Sequence, residues 1–199
     1  MQSFKVVVVG GDAVGKTAIV NRVFRRGFEH AHNPTLKVEG QNYRISLQQV
    51  GEDANLELYD LPGQERLMVL NRMYLRDANA ALVVYDVSNR DSLQAAEQWI
   101  QELKDNAPSE LIMCMAGNKL DTASRAVSIQ DGQTAARMHG IKVSSEVSAQ
   151  SGENIDTLFQ RMAQVCFENK DNFVSAAALV LTLAAALAHA QHLQAGEAD

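Results

Sequence analysis

The sequence predicts an α/β fold in which a mostly parallel six-stranded sheet carries helices on both faces. Continuous apolar runs of strand length, such as residues 4–9 and 80–85, alternate with amphipathic helical patterns along the chain. Apolar runs without polar alternation indicate strands that are buried on both faces, which requires helices on each side of a parallel sheet. We expect a helical extension after this domain.

The first half of the chain predicts a strand, a helix and a hairpin. The strand at residues 4–9 precedes a helix whose apolar residues recur at helical spacing. A polar loop over residues 27–37 leads to two runs of alternating apolar and polar residues, joined through residues 51–53. Alternation of this kind indicates a hairpin, so one edge strand of the sheet is expected to be antiparallel.

In the second half, helices and strands alternate. Strands are predicted over residues 80–85, 111–116 and 141–147. Helices are predicted over about residues 66–75, from Leu93 to before Pro108, from a capping box at Ser128 to about His139, and from Ile155 to Cys166. Ligands of such sheets bind at the carboxyl ends of the parallel strands.

Composition excludes several classes of protein. The chain has 199 residues, with 46% hydrophobic and 21% charged, which is a globular composition. A net charge of −6 and the absence of a basic run argue against nucleic-acid binding. Cys114 and Cys166 lie in apolar patterns and are expected to be buried thiols of a reducing compartment. No signal peptide is visible and Gln2 excludes N-myristoylation, so we expect a cytoplasmic protein.

A glycine-rich stretch, residues 10–17, lies between the first strand and the first helix and has the pattern GxxxxGK[ST]. Gly10 and Gly15 let several backbone N–H groups point at one phosphate, and the start of the helix adds its positive dipole end. Lys16 supplies a cation for the phosphates, and the Thr17 hydroxyl is a hard oxygen ligand for Mg²⁺. The alternative is an ordinary glycine turn. The pattern predicts a P-loop NTPase fold.

Residues 60–64 follow a predicted strand and also suit phosphate chemistry. The Asp60 carboxylate can hold Mg²⁺, the Gly63 backbone can approach a terminal phosphate, and Gln64 can orient an attacking water. Turns rich in Asp, Pro and Gly are common, so this stretch carries little weight alone.

Two more polar stretches follow predicted strands, Asn118–Asp121 and Ser148–Gln150. A carboxylate at Asp121 would accept two N–H groups from guanine, whereas adenine presents the wrong donor pattern. Asn118 can bond to the same base, and the stem of Lys119 can cover its ring. Each stretch taken alone also fits an ordinary polar loop.

Together these motifs resemble those of the Ras superfamily of small GTPases over about residues 1–169. The motifs GGDAVGKT, Thr35, DLPGQ, NKLD and SAQ occur in the family's order. The segments LVVYDVSNRDSL and EVSAQSGENIDTLF are most similar to the Rab branch, especially its endocytic members. The resemblance implies a GDP/GTP switch that binds guanine nucleotide with Mg²⁺ and hydrolyses GTP. It also implies control by exchange factors, activating proteins and effectors, in vesicle trafficking or signalling.

The resemblance also implies roles for individual residues. Gln64 would position the hydrolytic water, with Lys16 and Thr35 completing the catalytic set. Mg²⁺ would be held by Thr17, Thr35 and Asp60, with Thr35 binding only in the GTP state. Nucleotide binding would involve Gly10, Asp12, Ala13, Val14, Gly15, Lys16, Thr17, Ala18, Phe28, Thr35, Gly63, Asn118, Lys119, Asp121, Ser148, Ala149 and Gln150.

The chain departs from the family pattern near the phosphates. Asp12 stands where the family has a small residue, and its carboxylate would repel developing negative charge, so we expect slow hydrolysis. The alternative is an Asp12 side chain that turns to solvent or toward Lys16. Leu61-Pro62 replaces Thr-Ala, and Pro62 is expected to stiffen the second switch.

Two further departures concern partners. Rab effectors read an aromatic trio, whose positions here hold Gly40, Tyr59 and Tyr74, so only one of the three matches. Standard effector binding is therefore in doubt.

The C-terminal segment, residues 170–199, also departs from the family. No cysteine follows Cys166, so we expect no prenyl anchor at this end. Residues 173–190 are instead an uncharged stretch rich in Ala and Leu. It is read either as a membrane anchor on the cytosolic face, as a soluble packing helix, or as a frayed tail.

Two functions compete with a GTP-hydrolysing switch. One is a scaffold that binds guanine nucleotide without switching, which Asp12, Leu61-Pro62 and the absent lipid signal favour. The other is an ATP-dependent P-loop enzyme, against which the residues of Asn118–Asp121 argue.

Overall fold

The computed structural model describes residues 1–26, 38–63 and 68–173. Six strands form one sheet: β1 (Gln2–Gly10), β2 (Gly40–Leu47), β3 (Glu52–Asp60), β4 (Ala80–Asp86), β5 (Ile112–Asn118) and β6 (Val143–Glu146). The helices described are α1 (Lys16–Val23), α2 (Met68–Leu75), α3 (Arg90–Asn106), α4 (Ile129–Met138) and α5 (Ile155–Glu168). The chain divides after Phe167 into two units, and this sheet belongs to the first.

The sheet has the strand order β2-β3-β1-β4-β5-β6. The edge strand β2 pairs antiparallel with β3, whereas every other pair is parallel. The predicted α/β class and the antiparallel edge strand are therefore confirmed. The carboxyl ends of β1, β3, β4 and β5 lie at the same edge of the sheet because these strands run in one direction.

The central strands are buried along their length, as their continuous apolar runs predict. Every residue of β4 is buried, and Val6 to Val9 of β1 are fully buried. The helix α3 places its apolar stripe, including Trp99 and Ile100, in the same core. Burial of this apolar surface supplies most of the driving force that holds the strand ends in place.

Several predicted boundaries differ from the observed ones. The strand β6 is shorter than the predicted 141–147 because the Ile141 amide donates to the Ala136 carbonyl at the end of α4, 2.9 Å away. The strand β5 is longer than the predicted 111–116 because Gly117 and Asn118 continue the pairing with β4. The capping box at Ser128 is confirmed, since its side chain and that of Asp131 bond to each other's backbone.

Both cysteines are buried and free, as predicted. Burial raises the pKa of the Cys166 thiol to about 12, and it raises that of Cys114 too. No helix among the described residues is both long and apolar enough to cross a membrane. Of the uncharged stretch 173–190, all but Phe173 lies outside the described residues.

Candidate guanine-nucleotide site

The loop between β1 and α1 adopts the conformation that its glycines predict. Gly10 has φ 145° and Gly15 has φ 94°, and α1 begins directly after Gly15. A Cβ atom on Gly10 would lie 2.2 Å from the Val84 carbonyl oxygen, and one on Gly15 would lie 2.3 Å from Asn118 Nδ2. Ala13 also has a positive φ, 57°, which its sequence position did not reveal. Glycine is therefore required at positions 10 and 15 both by conformation and by space.

Lys16 is the buried cation of this loop. Its ammonium donates to the carbonyl oxygens of Gly10 and Gly11, at 3.1 and 2.7 Å. Burial lowers the pKa of Lys16, while the negative charges of Asp60 and Asp12 act in the opposite direction. The side chain is thus folded back over the loop. The effect of burial on its pKa exceeds the opposing effect of the two carboxylates.

Thr17 and Asp60 bring two hard oxygens together beside Lys16. The Thr17 hydroxyl donates to Asp60 Oδ2 across 2.5 Å, which joins the start of α1 to the end of β3. Thr17 is exposed, whereas Asp60 is buried. A hydroxyl and a carboxylate are ligands that Mg²⁺ prefers, so this donor set fits the ion.

The segment after β3 is anchored in the core. Leu61 is fully buried, and its amide donates to the Val8 carbonyl at 3.1 Å. Pro62 is buried as well. Gly63 then approaches the glycine-rich loop of residues 10–17, which is called the phosphate loop below. A Cβ atom on Gly63 would lie 2.4 Å from both Gly11 O and Lys16 Nζ. Only glycine fits this contact without a shift of its neighbours.

Asn118 links the phosphate loop to the opposite end of the site. Its Nδ2 donates to the Val14 carbonyl at 2.9 Å, and its Oδ1 accepts from the Ala149 amide at 3.1 Å. The side chain is only 2% exposed. One buried amide therefore connects three loops that the sequence separates widely.

The remaining polar residues at this end also bond within the chain. Asp121 accepts a hydrogen bond from the hydroxyl of Ser148, which is fully buried. Ser148 Oγ in turn accepts from the Ser151 amide at 2.9 Å. Lys119 has φ 66°, and its ammonium lies 2.5 Å from Asp86 Oδ2.

The structure brings most of the predicted nucleotide-binding residues to one edge of the sheet. Val14 and Ala149 are buried, Ala18 is half-buried, and Asp12 and Gln150 are exposed. Phe28, Thr35 and Gln64, which the resemblance also placed in the site, lie outside the described residues. Their roles stay predictions.

Two residues at this edge were not among the predicted site residues. Asp86 ends β4 and accepts from Ser88 N and Ser88 Oγ at 2.8 and 2.6 Å, in addition to its contact with Lys119. Its position after a buried strand is the same signal that identified Asp60. Arg22 bonds to the carbonyl oxygens of Ala149 and Gln150, and no local pattern in α1 signals so distant a partner.

The three aromatic-trio positions lie on β2, β3 and α2. Gly40 pairs with Tyr59 across the strands, and a Cβ atom on Gly40 would lie 2.8 Å from the Tyr59 hydroxyl. The rings of Tyr59 and Tyr74 are 5.8 Å apart, and Lys5 Nζ lies 5.0 Å from the Tyr59 ring. The tyrosine thus covers the place that a side chain at position 40 would take.

Comparison with known proteins identifies the family. The model of the Ras family matches residues 5–168. Ras-related protein Rab-21 of Mus musculus is 37% identical over 158 residues, which cover 79% of this chain and 70% of that protein. Rab-21 of Homo sapiens has the same identity over 69% of its length. Ras-related protein RABA5d of Arabidopsis thaliana is 33% identical over 167 residues, or 83% of this chain and 75% of its own. The chain therefore belongs to the Ras family and is a Rab-like small GTPase, an enzyme that hydrolyses GTP.

Proposed function

We propose that this GTPase is a GDP/GTP switch that binds its nucleotide along the carboxyl edge of the sheet. The phosphates would lie against Gly10–Thr17, and guanine would lie between Asn118–Asp121 and Ser148–Gln150. The observation that carries this proposal is a pair of hydrogen bonds, in which Asn118 donates to the Val14 carbonyl and accepts from the Ala149 amide. These two bonds fix the position of the phosphate loop relative to the segments Asn118–Asp121 and Ser148–Gln150.

Competition between nucleotides tests this binding mode directly. The full chain is stripped of nucleotide with a chelator and loaded with a fluorescent GDP analogue. Unlabelled GTP is expected to displace the analogue at least 10²-fold more effectively than ATP, on the order of two well-placed hydrogen bonds to the base. Equal displacement by ATP would favour the ATP-dependent enzyme instead.

Mg²⁺ is the proposed cofactor of this site. Thr17 and Asp60 would hold the ion, with Thr35 added in the GTP state. When bound, Mg²⁺ neutralises phosphate charge. Lys16 would hold the β- and γ-phosphates, the Gly63 amide would contact the γ-phosphate, and Gln64 would orient the attacking water in line. Catalysis by these residues consists mainly of positioning and electrostatic stabilisation.

Hydrolysis is proposed to be slow because of Asp12. This exposed carboxylate lies in the loop that would surround the γ-phosphate, and its negative charge acts on Lys16. In single-turnover hydrolysis of preloaded GTP by the full chain, Asp12→Gly is expected to raise the rate on the order of tenfold, since each 1.4 kcal/mol is a factor of ten. An unchanged rate would mean that the carboxylate turns away from the reacting phosphate.

The second candidate is a guanine-nucleotide-binding scaffold that does not switch. The burial of Leu61 and Pro62 favours it, because a segment anchored in the core resists rearrangement. The same single-turnover experiment separates the two functions. A wild-type rate near ~10⁻⁴ s⁻¹ is ordinary for an unassisted small GTPase. GTP that stays bound and intact over days would indicate the scaffold.

The proposed partners are an exchange factor, an activating protein and effectors, in vesicle trafficking or signalling. We expect effectors that read the usual aromatic trio to bind weakly, because Gly40 and Tyr59 change two of its three positions. We propose that residues 1–169 form the GTPase domain and that residues 170–199 are a separate segment.

The uncharged stretch 173–190 has two proposed roles, a cytosolic-face membrane anchor and a packing helix. Sedimentation of the full chain with liposomes distinguishes them, with Leu183→Asp as the matched variant. An anchor predicts sedimentation that the charge abolishes, because a charged residue at the centre of a membrane helix costs about 3 kcal/mol. Equal recovery of both proteins in the supernatant would exclude the anchor.

A further inference from the structure

Arg22 connects α1 to the loop that follows β6. Its Nε donates to the Ala149 carbonyl oxygen at 2.7 Å, and its Nη2 donates to the carbonyl oxygen of Gln150. A guanidinium is a rigid planar fork, so two bonds to successive carbonyls fix the orientation of both peptide groups. The stem of Arg22 packs beside Gly152, where a Cβ atom would lie 3.5 Å from Arg22 Cδ.

The same peptide segment is held from its other side by Asn118. The Ala149 amide donates to Asn118 Oδ1 at 3.1 Å, while the Ala149 carbonyl accepts from Arg22. Ala149 is therefore bonded to the chain at both its N–H and its C=O group. Movement of Arg22 would release the carbonyl and let the amide rotate away from the base site.

Arg22 also belongs to the helix that begins at the phosphate-binding lysine. The helix α1 runs from Lys16 to Val23, so Arg22 lies near its carboxyl end, while its first residues face the proposed phosphates. At a rise of about 1.5 Å per residue, Arg22 lies about 9 Å along the helix axis from Lys16. This geometry joins the phosphate end of the site to the base end by a second route, independent of Asn118 and Val14.

We infer that Arg22 is a positioning residue for guanine recognition. It holds the Ala149 peptide beside the base site, so that the Ala149 N–H, which donates to Asn118 Oδ1 in this structure, can turn to the 6-oxo group of the base when the nucleotide binds. This inference rests on the proposed binding mode, in which guanine lies against Ser148–Gln150, and on the role that the resemblance to small GTPases implies for the Ala149 amide, namely to read the base. Arg22 itself acts through the loop backbone. A purely structural role would instead weaken the binding of every nucleotide alike.

A nucleotide that lacks the 6-oxo group separates these roles. The diphosphate of 2-aminopurine riboside keeps the 2-amino group and both phosphates, but it has only hydrogen at C6 and no proton on N1. The lost N1 proton weakens binding to wild type and to the Arg22 variants alike, so the comparison between these proteins isolates the 6-oxo contact. Dissociation constants for GDP and for this analogue are measured with the full chain, for wild type and for Arg22→Met. The Met side chain keeps most of the apolar stem and removes the donors.

We expect Arg22→Met to weaken GDP binding about tenfold and to leave binding of the analogue within about twofold, since one neutral hydrogen bond is worth about a factor of ten. Arg22→Lys, which preserves the charge but lacks the rigid planar fork that fits two successive carbonyls, is expected to lie between wild type and Met. If Arg22→Met does not fold, the lysine variant gives the same comparison. The control is Arg44→Met, which removes an exposed arginine paired with Asp53 on the hairpin and should change neither constant.

Three outcomes contradict the inference. Equal weakening of GDP and analogue by the Arg22 variants would make Arg22 a structural residue only. Unchanged binding of both nucleotides would show that the loop keeps its position without Arg22. Wild-type protein that binds the analogue as tightly as GDP would overturn the proposed reading of guanine itself, and this inference with it.

Discussion

The two ends of the proposed nucleotide site satisfy their polar groups in different ways. At the base end, Asn118 and Ser148 are buried and bond to other parts of the chain. At the phosphate end, Lys16 is buried as a cation with a lowered pKa, close to the negative charges of Asp60 and Asp12. The fully or nearly fully buried groups of the base end, Asn118 and Ser148, are neutral, and Lys119 forms an ion pair with Asp86 there. The phosphate end contains a buried cation instead.

This difference between the two ends indicates how each end contributes to the free energy of nucleotide binding. A loop whose polar groups are already bonded is preorganised, so it loses little entropy when a ligand binds. A buried cation is unfavourable until an anion joins it, and the folded protein without nucleotide carries that cost. We therefore expect the base end to set specificity and the phosphate end to couple nucleotide binding to stability.

The largest expected effect is loss of nucleotide affinity in Lys16→Met. Removal of the cation would delete the proposed charge-assisted bonds to the phosphates, and GDP binding is expected to fall by about 10²-fold or more. Isothermal titration calorimetry of the full chain measures the change. Lys142→Met, at an exposed position next to β6, is the matched control and should bind GDP normally. If Lys16→Met bound GDP as tightly as wild type, the buried cation would not contribute to nucleotide binding.

Asn118→Ala tests the pair of hydrogen bonds that joins the two ends of the proposed site. The variant leaves the Val14 carbonyl and the Ala149 amide without their buried partner, so the free energy of unfolding should fall by about 2 kcal/mol. Urea denaturation with GDP absent measures this effect. Asn55→Ala removes a half-buried asparagine side chain whose hydrogen bonds to Ser3 and Asn42 lie at the surface, and it should cost about 0.5 kcal/mol or less. Equal losses in the two variants would argue against a special role for Asn118.

Ser148→Ala tests the hydrogen bonds of the base end separately from those of the phosphate end. Loss of this buried hydroxyl removes the donor to Asp121 and the acceptor for the Ser151 amide. We expect a loss of about 1 kcal/mol in the free energy of unfolding. GDP binding should weaken while the hydrolysis rate of bound GTP stays the same, because the Ser148 hydroxyl bonds to Asp121 and Ser151 at the base end rather than to the loop of residues 10–17. Ser144→Ala, at an exposed position of β6, is the control.

The smallest expected effect is a pH dependence at the phosphate end. Burial lowers the pKa of Lys16 from 10.5, although Asp60 and Asp12 oppose the shift. The folded protein without nucleotide then binds this proton less tightly than the unfolded chain does. The cost of the buried charge is fully present below the folded pKa and disappears as the pH rises toward 10.5.

Urea denaturation of nucleotide-free protein checks this sign. Lys16→Met carries no buried charge, so it should be more stable than wild type at neutral pH, and its advantage should shrink in alkaline solution. A variant that is less stable than wild type at neutral pH, or a stability difference that does not change with pH, would show that the buried charge of Lys16 does not destabilise the nucleotide-free protein.

The sequence alone could predict the elements that have local signals. The glycine pattern around Lys16 and the capping box at Ser128 are short motifs with one structural meaning each, and both are observed. The polar residues after strands were found because parallel strands end at one edge. Asp86 follows the same rule and was overlooked.

Other features depend on contacts that no local pattern records. The bond between Arg22 and Ala149 joins residues that are 127 positions apart. The positive φ of Ala13 and Lys119 arises from the tertiary frame around them, since neither residue type favours that conformation. The length of β6 depends on the end of α4, whose Ala136 carbonyl takes the Ile141 amide.

Hydrogen exchange of the full chain, with and without GDP, tests the central comparison most directly. Amide exchange reports how often a hydrogen-bonded segment opens. The account predicts that the Ala149 amide is protected without nucleotide, whereas the amides of residues 11–15 gain protection only when GDP binds. If the Ala149 amide exchanged as fast as the phosphate loop until GDP was added, the base end would not be preorganised, and the account would be contradicted.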